Sequence, residues 1–256
     1  MTYIHNINPV LFSIGSLEVR YYGLAYVVGI LLGYFIIKHL IKKKEIDITS
    51  DELDDLILYI ALGVLIGSRL FYFLFYNFSS FIQNPLIIFK IWQGGMSFHG
   101  GLIGVITAGY IFCKRYNKNF FELADLCVIP TAIALGLGRI TNFINGELYG
   151  RPTSLPWGVD FGDGVYRHPS QLYEAGKNFV IFGILWFLKN KDLKKGTLFW
   201  AFITMYGTFR FFIEFGRQPD PQLGFVLFNF FTMGQVLTAI MAILGTFMLM
   251  SMYSKK

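Results

Sequence analysis

Residues 54–76 read DDLILYIALGVLIGSRLFYFLFY, an almost unbroken apolar run with one arginine, Arg69, deep inside it. A run of about 20 apolar residues is what an α-helix needs to cross a hydrocarbon core about 30 Å thick. Two further runs of this kind hold Arg139 and Arg210. An arginine at the centre of a bilayer costs on the order of 3 kcal/mol even on lenient insertion scales, so three of them indicate a functional use.

The composition is typical of an integral membrane protein. Of the 256 residues, 54% are hydrophobic and only 15% are charged. Seven runs have spanning length, near residues 20–41, 54–76, 96–114, 122–143, 171–188, 197–216 and 232–252. We therefore predict an all-α integral membrane protein of one domain, residues 1–256, with seven transmembrane helices. The long loop 144–170 is too apolar for a free tether and predicts a small extracytoplasmic cap, with Trp157 as a candidate interfacial anchor.

The basic residues predict how the helices are oriented. Thirteen lysines and arginines follow spans one, three and five or end the chain, against four in the alternate loops. Because such residues concentrate on the cytoplasmic side, we predict the N-terminus outside and the C-terminus, with Lys255 and Lys256, inside. The same distribution accounts for the net charge of +6 without a nucleic-acid partner. The first span lacks the flanking signals of a cleaved signal peptide, and we expect it to be retained.

This orientation places the intramembrane polar residues in one layer. Three arginines come late in the outward-running spans two, four and six: Arg69, Arg139 and Arg210. Three other polar residues come early in the inward-running spans one, three and five: Tyr22, His99 and Glu174. All six fall in the outer half of the membrane, where we predict the functional site.

Spans four and six each carry polar residues on one face. Four residues of span six recur at i, i+4, i+8 and i+11: Tyr206, Arg210, Glu214 and Arg217. On span four, Arg139 and Asn142 share a face, and Asn145 and Glu147 extend the polarity outward. Glu214 is open to two interpretations. It either neutralises Arg210 in a structural ion pair or belongs to a substrate site in which cations outnumber acids.

Glycines surround His99 at the start of span three. The segment HGGLIG, residues 99–104, contains Gly100, Gly101 and Gly104. Glycine-rich backbone at a helix N-terminus can bind an anion, whereas the spacing of Gly100 and Gly104 also suits closely packed helices. His99 is either structural or a proton-transfer group, since imidazole titrates near pH ~6.5.

Several other polar residues carry weaker signals. His168 is expected to cap or orient the start of span five. Asp125 is the one intramembrane charge that falls on the inner side, and it is expected near the start of its helix. Cys113 and Cys127 lack the spacing of a redox or metal site and are interpreted as packing residues. We expect no metal ion and no cofactor.

Two other classes of function compete with a lipid-facing enzyme. A transporter for an anionic solute would also use intramembrane arginines. It would, however, show polar residues through the inner leaflet and inverted repeats, and neither is visible in this sequence. A purely structural bundle would leave the three deep arginines without a purpose.

Four motifs resemble one bacterial enzyme family. They are HGGLIG at residues 99–104, GRITNFINGELYG at 138–150, RHPSQLYE at 167–174 and RFFIEFGRQPD at 210–220. The N-terminal FSIG at 12–15 and the pair Tyr22-Gly23 also fit. Together they make nearly the whole chain similar to the prolipoprotein diacylglyceryl transferases.

The resemblance implies an activity and its participants. The family transfers a diacylglyceryl group from phosphatidylglycerol to the lipobox cysteine of a prolipoprotein, forming a thioether and releasing glycerol phosphate. This is the first step of lipoprotein maturation. The resemblance also implies seven spans in the bacterial cytoplasmic (inner) membrane and a site open to the outer leaflet of the lipid bilayer.

Residue by residue, the resemblance also implies roles. Arg139 matches the arginine that binds the phosphatidylglycerol headgroup, and Arg210 matches a second essential arginine. Other positions important in the family match His99, Tyr22, Asn142, Gly150 and Tyr206. Our hypothesis makes Arg139 and Arg210 a clamp on the phosphate and His99 the base for the thiol, with Glu214 or Glu147 as the alternative. The further substrate-binding candidates are Arg69, Arg217, Gly100, Gly101, Gly104 and Asn145.

Overall fold

The computed structural model describes residues 3–15, 17–44, 46–219 and 224–254. Lys255, Lys256 and the motif residue Asp220 lie outside the described residues. The α-helices of the described part are α1 (Tyr21–Lys44), α2 (Ser50–Phe75), α3 (Phe78–Gln83), α4 (Phe98–Arg115), α5 (Phe120–Ile144), α6 (Ser170–Leu188), α7 (Thr197–Ile213) and α8 (Met233–Ser254). Each of the seven predicted spans falls on one of these helices.

Helix ends differ from the predicted ends where polar side chains complete a turn. Helix α2 begins at Ser50, four residues before the apolar run, because Thr49 and Glu52 form a capping box. The Thr49 hydroxyl accepts from the Glu52 N–H at 3.2 Å, and the Glu52 carboxylate accepts from the Thr49 N–H at 2.8 Å. Helix α7 ends at Ile213, and a 3₁₀ turn over Glu214–Gly216 continues it.

Four of the described helices are long and apolar enough to cross a membrane by length and composition: α1, α2, α5 and α8. Helix α7 has 17 residues, fewer than the about 20 that a span usually takes. The structure therefore supports a helical membrane protein, and the full set of seven spans stays a prediction.

Backbone contacts group the chain into two units, a large unit of residues 1–36 and 125–256 and a small unit of residues 37–124. In the large unit, α7 packs against α6 and α8. Gly207 permits the close approach of α8, because a Cβ there would lie 2.7 Å from the Thr238 carbonyl oxygen. Asp125 lies in the second turn of α5. Its carboxylate accepts the N–H groups of Gly196 and Phe199 at 2.6 and 2.7 Å and so caps α7.

Part of the loop 144–170 belongs to a small sheet, and its role as an extracytoplasmic cap stays a prediction. Strand β1 (Tyr3–Ile4) pairs in parallel with β4 (Val159–Asp160), which pairs antiparallel with β5 (Tyr166–Arg167). Two hairpins complete the strands: β2 (Val10–Ile14) with β3 (Leu17–Arg20), and β6 (Phe225–Leu227) with β7 (Phe231–Thr232). The Trp157 indole N–H donates to the Tyr173 hydroxyl at 2.7 Å, which ties the loop to the first turn of α6. The side of the membrane that this sheet faces stays a prediction.

Candidate functional site

Glu174, in the first turns of α6, is a buried carboxylate with three cations around it. Its side chain is 1% exposed. Arg210 Nη1 lies 2.5 Å from Oε1, and Lys177 Nζ lies 2.6 Å from Oε2. Arg139 approaches less closely, with Nε 3.9 Å from Oε2. A carboxylate this deep is stable as an anion only because it is paired.

Glu214 is the second carboxylate, at the end of α7. Its Oε2 lies 2.8 Å from Arg210 Nη1 and 3.8 Å from Arg217 Nε, and its Oε1 accepts from the Thr232 hydroxyl at 3.0 Å. Arg210 thus bridges the two carboxylates. Arg210 and Glu214, two of the polar residues predicted on one face of span six, therefore form an ion pair.

We call these six residues the charge cluster: Arg139, Glu174, Lys177, Arg210, Glu214 and Arg217. Four cations share two carboxylates, which leaves an excess of two positive charges. Arg139 is the most accessible cation, with 22% of its side chain exposed against 12% for Arg210 and 2% for Lys177. The arrangement is therefore built to attract an anion, and Arg139 is the group best placed to meet it.

Tyrosines lie next to the charge cluster. The Lys177 ammonium sits 3.8 Å from the centre of the Tyr206 ring, a cation–π contact, and the Tyr206 hydroxyl interacts with Arg139. The Tyr22 hydroxyl lies 3.2 Å from that of Tyr26, within electrostatic reach of Arg139. Tyr206 and Tyr22 were both predicted as site residues, and the structure brings both near Arg139.

Glu147 is held at the end of α5 by the amides predicted beside it. Asn142 Nδ2 donates to Glu147 Oε1 at 2.7 Å, and Asn145 Nδ2 donates to the same oxygen at 3.3 Å. The Gln171 side chain donates to the Glu147 carbonyl at 2.6 Å, which fixes the backbone as well. Asn142 and Asn145 therefore orient Glu147, and binding of substrate by Asn145 stays a prediction.

Gly150 is explained by backbone packing. Its N–H donates to the His168 carbonyl at 2.8 Å, and the next N–H, of Arg151, donates to the Gly216 carbonyl at 3.0 Å. A Cβ at Gly150 would collide with the Gly216 carbonyl and with His168. The structure thus gives this glycine a role in joining the loop to the end of α7, and its contact with substrate stays a prediction.

Arg69, in the small unit, has its guanidinium occupied by backbone carbonyls. It donates to Ile88 at 3.0 Å, to Ile87 at 2.6 Å, to Lys90 and Gly95 at 3.1 Å, and to Gly94. The side chain is buried and also lies over the Phe73 ring. These contacts satisfy its donors and point to a structural role that fastens the segment after α2, so the predicted substrate contact has no support in this geometry.

Gly100 and Gly104 permit close helix packing, one of the two roles left open, and anion binding by Gly100, Gly101 and Gly104 stays a prediction. A Cβ at Gly104 would collide with the Gly63 carbonyl, and one at Gly100 would collide with the Gly67 carbonyl and Phe71. Gly101 makes only ordinary contacts. The Gly100 N–H is also capped by the Ser97 hydroxyl at 3.3 Å. His99 itself is exposed in the first turn of α4.

The His168 side chain contacts a side chain in the first turn of α6 and does not cap the helix. Its Nδ1 lies 3.1 Å from the Tyr173 hydroxyl, while the residue before the helix, Pro169, provides no side-chain cap. Burial, and then the nearby Arg151 charge, lower the pKa of His168 below its usual value. The imidazole is therefore neutral at pH 7.

Lys177 is the residue that the sequence reasoning missed, and Glu174 was not assigned a role. The signal was present, since Lys177 is a lone lysine inside a predicted span and lies three residues after Glu174. A charged lysine inside a bilayer costs free energy as an arginine does, so the reasoning applied to the three arginines applies to Lys177 as well.

Comparisons with known proteins agree with the motifs. A family model described as prolipoprotein diacylglyceryl transferase matches residues 9–251. A phosphatidylglycerol–prolipoprotein diacylglyceryl transferase of Geobacter sulfurreducens is 49% identical over 243 residues, covering 94% of this chain and 93% of that protein. Proteins of the same name from Legionella pneumophila and Coxiella burnetii are 47% and 46% identical over 247 and 259 residues. They match 94% and 100% of this chain, and 95% and 99% of their own lengths. The chain therefore belongs to the prolipoprotein diacylglyceryl transferase family.

Proposed function

We propose that this protein transfers the diacylglyceryl group of phosphatidylglycerol to the lipobox cysteine thiol of prolipoproteins. A carbon–sulfur bond forms at the glyceryl carbon as the bond from that carbon to the phosphate oxygen breaks. The products are a thioether-linked prolipoprotein and glycerol phosphate, and the thiol proton passes to a base. The observation that carries the proposal is the excess of positive charge in the charge cluster. It occurs in a chain that belongs to this family.

The charge of the cluster suits the change in charge during the reaction. A phosphodiester carries one negative charge, whereas the departing phosphate monoester develops a second as the bond breaks. Arg139, the most accessible cation, holds the phosphate oxygens, since a guanidinium binds such oxygens with two parallel hydrogen bonds. Arg210 lies between two carboxylates and stabilises the growing charge from a fixed position.

The remaining candidates divide into positioning residues and proton carriers. Glu214 already contacts Arg210, Arg217 and Thr232, so it positions cations and does not take the thiol proton. His99 is the candidate base, because its imidazole is exposed and the attacking group must be a thiolate. Glu147 is the alternative base. A His99→Gln variant with near-normal transfer would remove His99 from this role.

The proposal includes a place in the cell. We propose a multi-pass protein of the bacterial cytoplasmic membrane, with seven spans, the N-terminus and the cap outside, and the C-terminus inside. The helices at all seven predicted positions and the thirteen-to-four bias of basic residues support this topology. Reporter fusions after Lys118 and after Asp163 test it, since they should report opposite sides. The same side for both would reject it.

The activity is tested with purified protein, radiolabelled phosphatidylglycerol and a lipobox peptide. Label should pass to the cysteine peptide and not to its serine counterpart. Arg139→Ala should lower kcat/KM by about 100-fold or more, the loss typical of removing a donor to a developing anion. Arg20→Ala is the matched control, because Arg20 is exposed and its ion pair is with Glu18, two residues away in sequence. Full activity of Arg139→Ala would refute the clamp, and labelling of the serine peptide would refute thioether formation.

A further inference from the structure

Lys177 is the most deeply buried cation of the charge cluster. Its side chain is 2% exposed, its ammonium lies 2.6 Å from Glu174 Oε2, and the same ammonium lies 3.8 Å from the centre of the Tyr206 ring. A group so enclosed cannot contact a substrate that approaches Arg139. Any effect of Lys177 on the reaction is therefore indirect and passes through the groups around its ammonium, of which Glu174 and Tyr206 are in contact with it.

Lys177 and Arg139 both face the same oxygen of the Glu174 carboxylate, Oε2. Arg210 occupies Glu174 Oε1 at 2.5 Å, so Oε2 is the oxygen that remains. Lys177 holds Oε2 at hydrogen-bond distance, while Arg139 Nε stays 3.9 Å away, beyond that distance. The carboxylate is thus already bound on both oxygens when Arg139 approaches it.

We infer that Lys177 is a positioning residue that keeps the Arg139 guanidinium available for the phosphate of the lipid by occupying Glu174 Oε2. Without the ammonium, Arg139 closes onto Glu174 and forms a buried ion pair that each substrate molecule must break. This inference rests on the proposed function, because it assigns Arg139 to the phosphate. It predicts a defect in substrate binding and not in the bond-making step.

The test compares Lys177→Met with Asn178→Leu in the transfer assay. Methionine has nearly the length of lysine without its charge, and Arg210 still pairs with Glu174, so no carboxylate is left unpaired. We expect KM for phosphatidylglycerol to rise about tenfold in Lys177→Met, with kcat changed less than about threefold, the fold-change that one lost charged contact gives. Inhibition by glycerol phosphate should weaken by a similar factor. Asn178→Leu removes a buried polar group of the same helix outside the charge cluster and should leave KM unchanged.

A third variant, Lys177→Gln, separates positioning from general packing. Its amide N–H can still donate to Glu174 Oε2, so KM should return towards the wild-type value. If Lys177→Met does not fold, Lys177→Leu, which also offers no donor to Glu174 Oε2, takes its place in the comparison with the wild type and Lys177→Gln. An unchanged KM in Lys177→Met, a loss confined to kcat, or an equal rise in Asn178→Leu would overturn the inference. Absence of transfer by the wild-type protein would instead overturn the proposed function.

Discussion

Replacing Glu174 with glutamine should destabilise the protein more than any change to a surface ion pair. The substitution removes one negative charge and almost no volume, so its effect is electrostatic. It leaves Lys177, with 2% of its side chain exposed, without its carboxylate, and it removes one of the two acids that hold Arg210. The excess of positive charge in the charge cluster rises from two to three.

The size of the effect follows from burial. Breaking a buried ion pair by removing one partner costs about 3–5 kcal/mol, because the other charge stays buried without compensation. For a chain of this length each kcal/mol lowers Tm by about 2–4 °C, so we expect a fall of about 10 °C. The double variant Glu174→Gln with Lys177→Met removes both charges and should recover at least half of the loss.

Thermal unfolding of the purified protein in detergent measures these shifts. Asp163→Asn is the matched control, since it removes the more exposed partner of an ion pair, an acid 2.6 Å from Arg167 at the end of β5. Arg167 holds the pKa of Asp163 below its usual range, yet solvent screens the pair, so Tm should move by less than about 2 °C. Equal shifts for Glu174→Gln and Asp163→Asn would refute the reasoning. A double variant that is less stable than Glu174→Gln would refute it too.

Three further predictions concern other parts of the molecule. Gly104→Val should cost about 2 kcal/mol or more from overpacking between α2 and α4, whereas Gly183→Ala, in open space, should cost nothing. Arg69→Met should speed trypsin cleavage at Lys90, because the arginine fastens that segment through five carbonyls. Burial lowers the pKa of His168, so Tm should be highest above pH ~6.5 and fall as the pH drops towards the folded-state pKa, less steeply in His168→Asn.

Each of these predictions has a contrary outcome. Equal stability of Gly104→Val and the wild type would show that the two helices can separate at no cost. An unchanged cleavage rate in Arg69→Met would show that other contacts hold the segment. The same pH profile in His168→Asn and the wild type would assign the loss of stability at low pH to other groups.

The hydrophobicity of consecutive residues was enough to predict the helices. Each spanning run is one continuous apolar stretch, and its length does not depend on which other helices it contacts. Helical spacing also predicted that Arg210 and Glu214, four residues apart, lie on one face. The α-helix ends at Ile213, so the position of Arg217 after the 3₁₀ turn does not follow from 3.6 residues per turn. The capping box that begins α2 at Ser50 lies in polar sequence and was missed by a hydrophobicity argument.

The roles of buried residues could not be predicted in the same way. Arg69 and Arg139 looked alike along the chain, but one donates to five carbonyls and the other approaches a carboxylate. Gly100 and Gly104 suited an anion site or a helix contact equally, and only the neighbouring helix decided between them. The difference lies in partners that are far away in sequence.

The chain by itself determined seven apolar helical segments, three of them with a deep arginine, and the basic loops that follow alternate segments, because these properties depend on consecutive residues. Only the tertiary structure decided which carboxylate each cation meets. Glu174 joins Lys177 of its own helix to arginines of α5 and α7, and no spacing rule connects those three helices. A buried charge is stabilised by whatever lies within a few ångströms of it, and that neighbourhood exists only once the helices have packed.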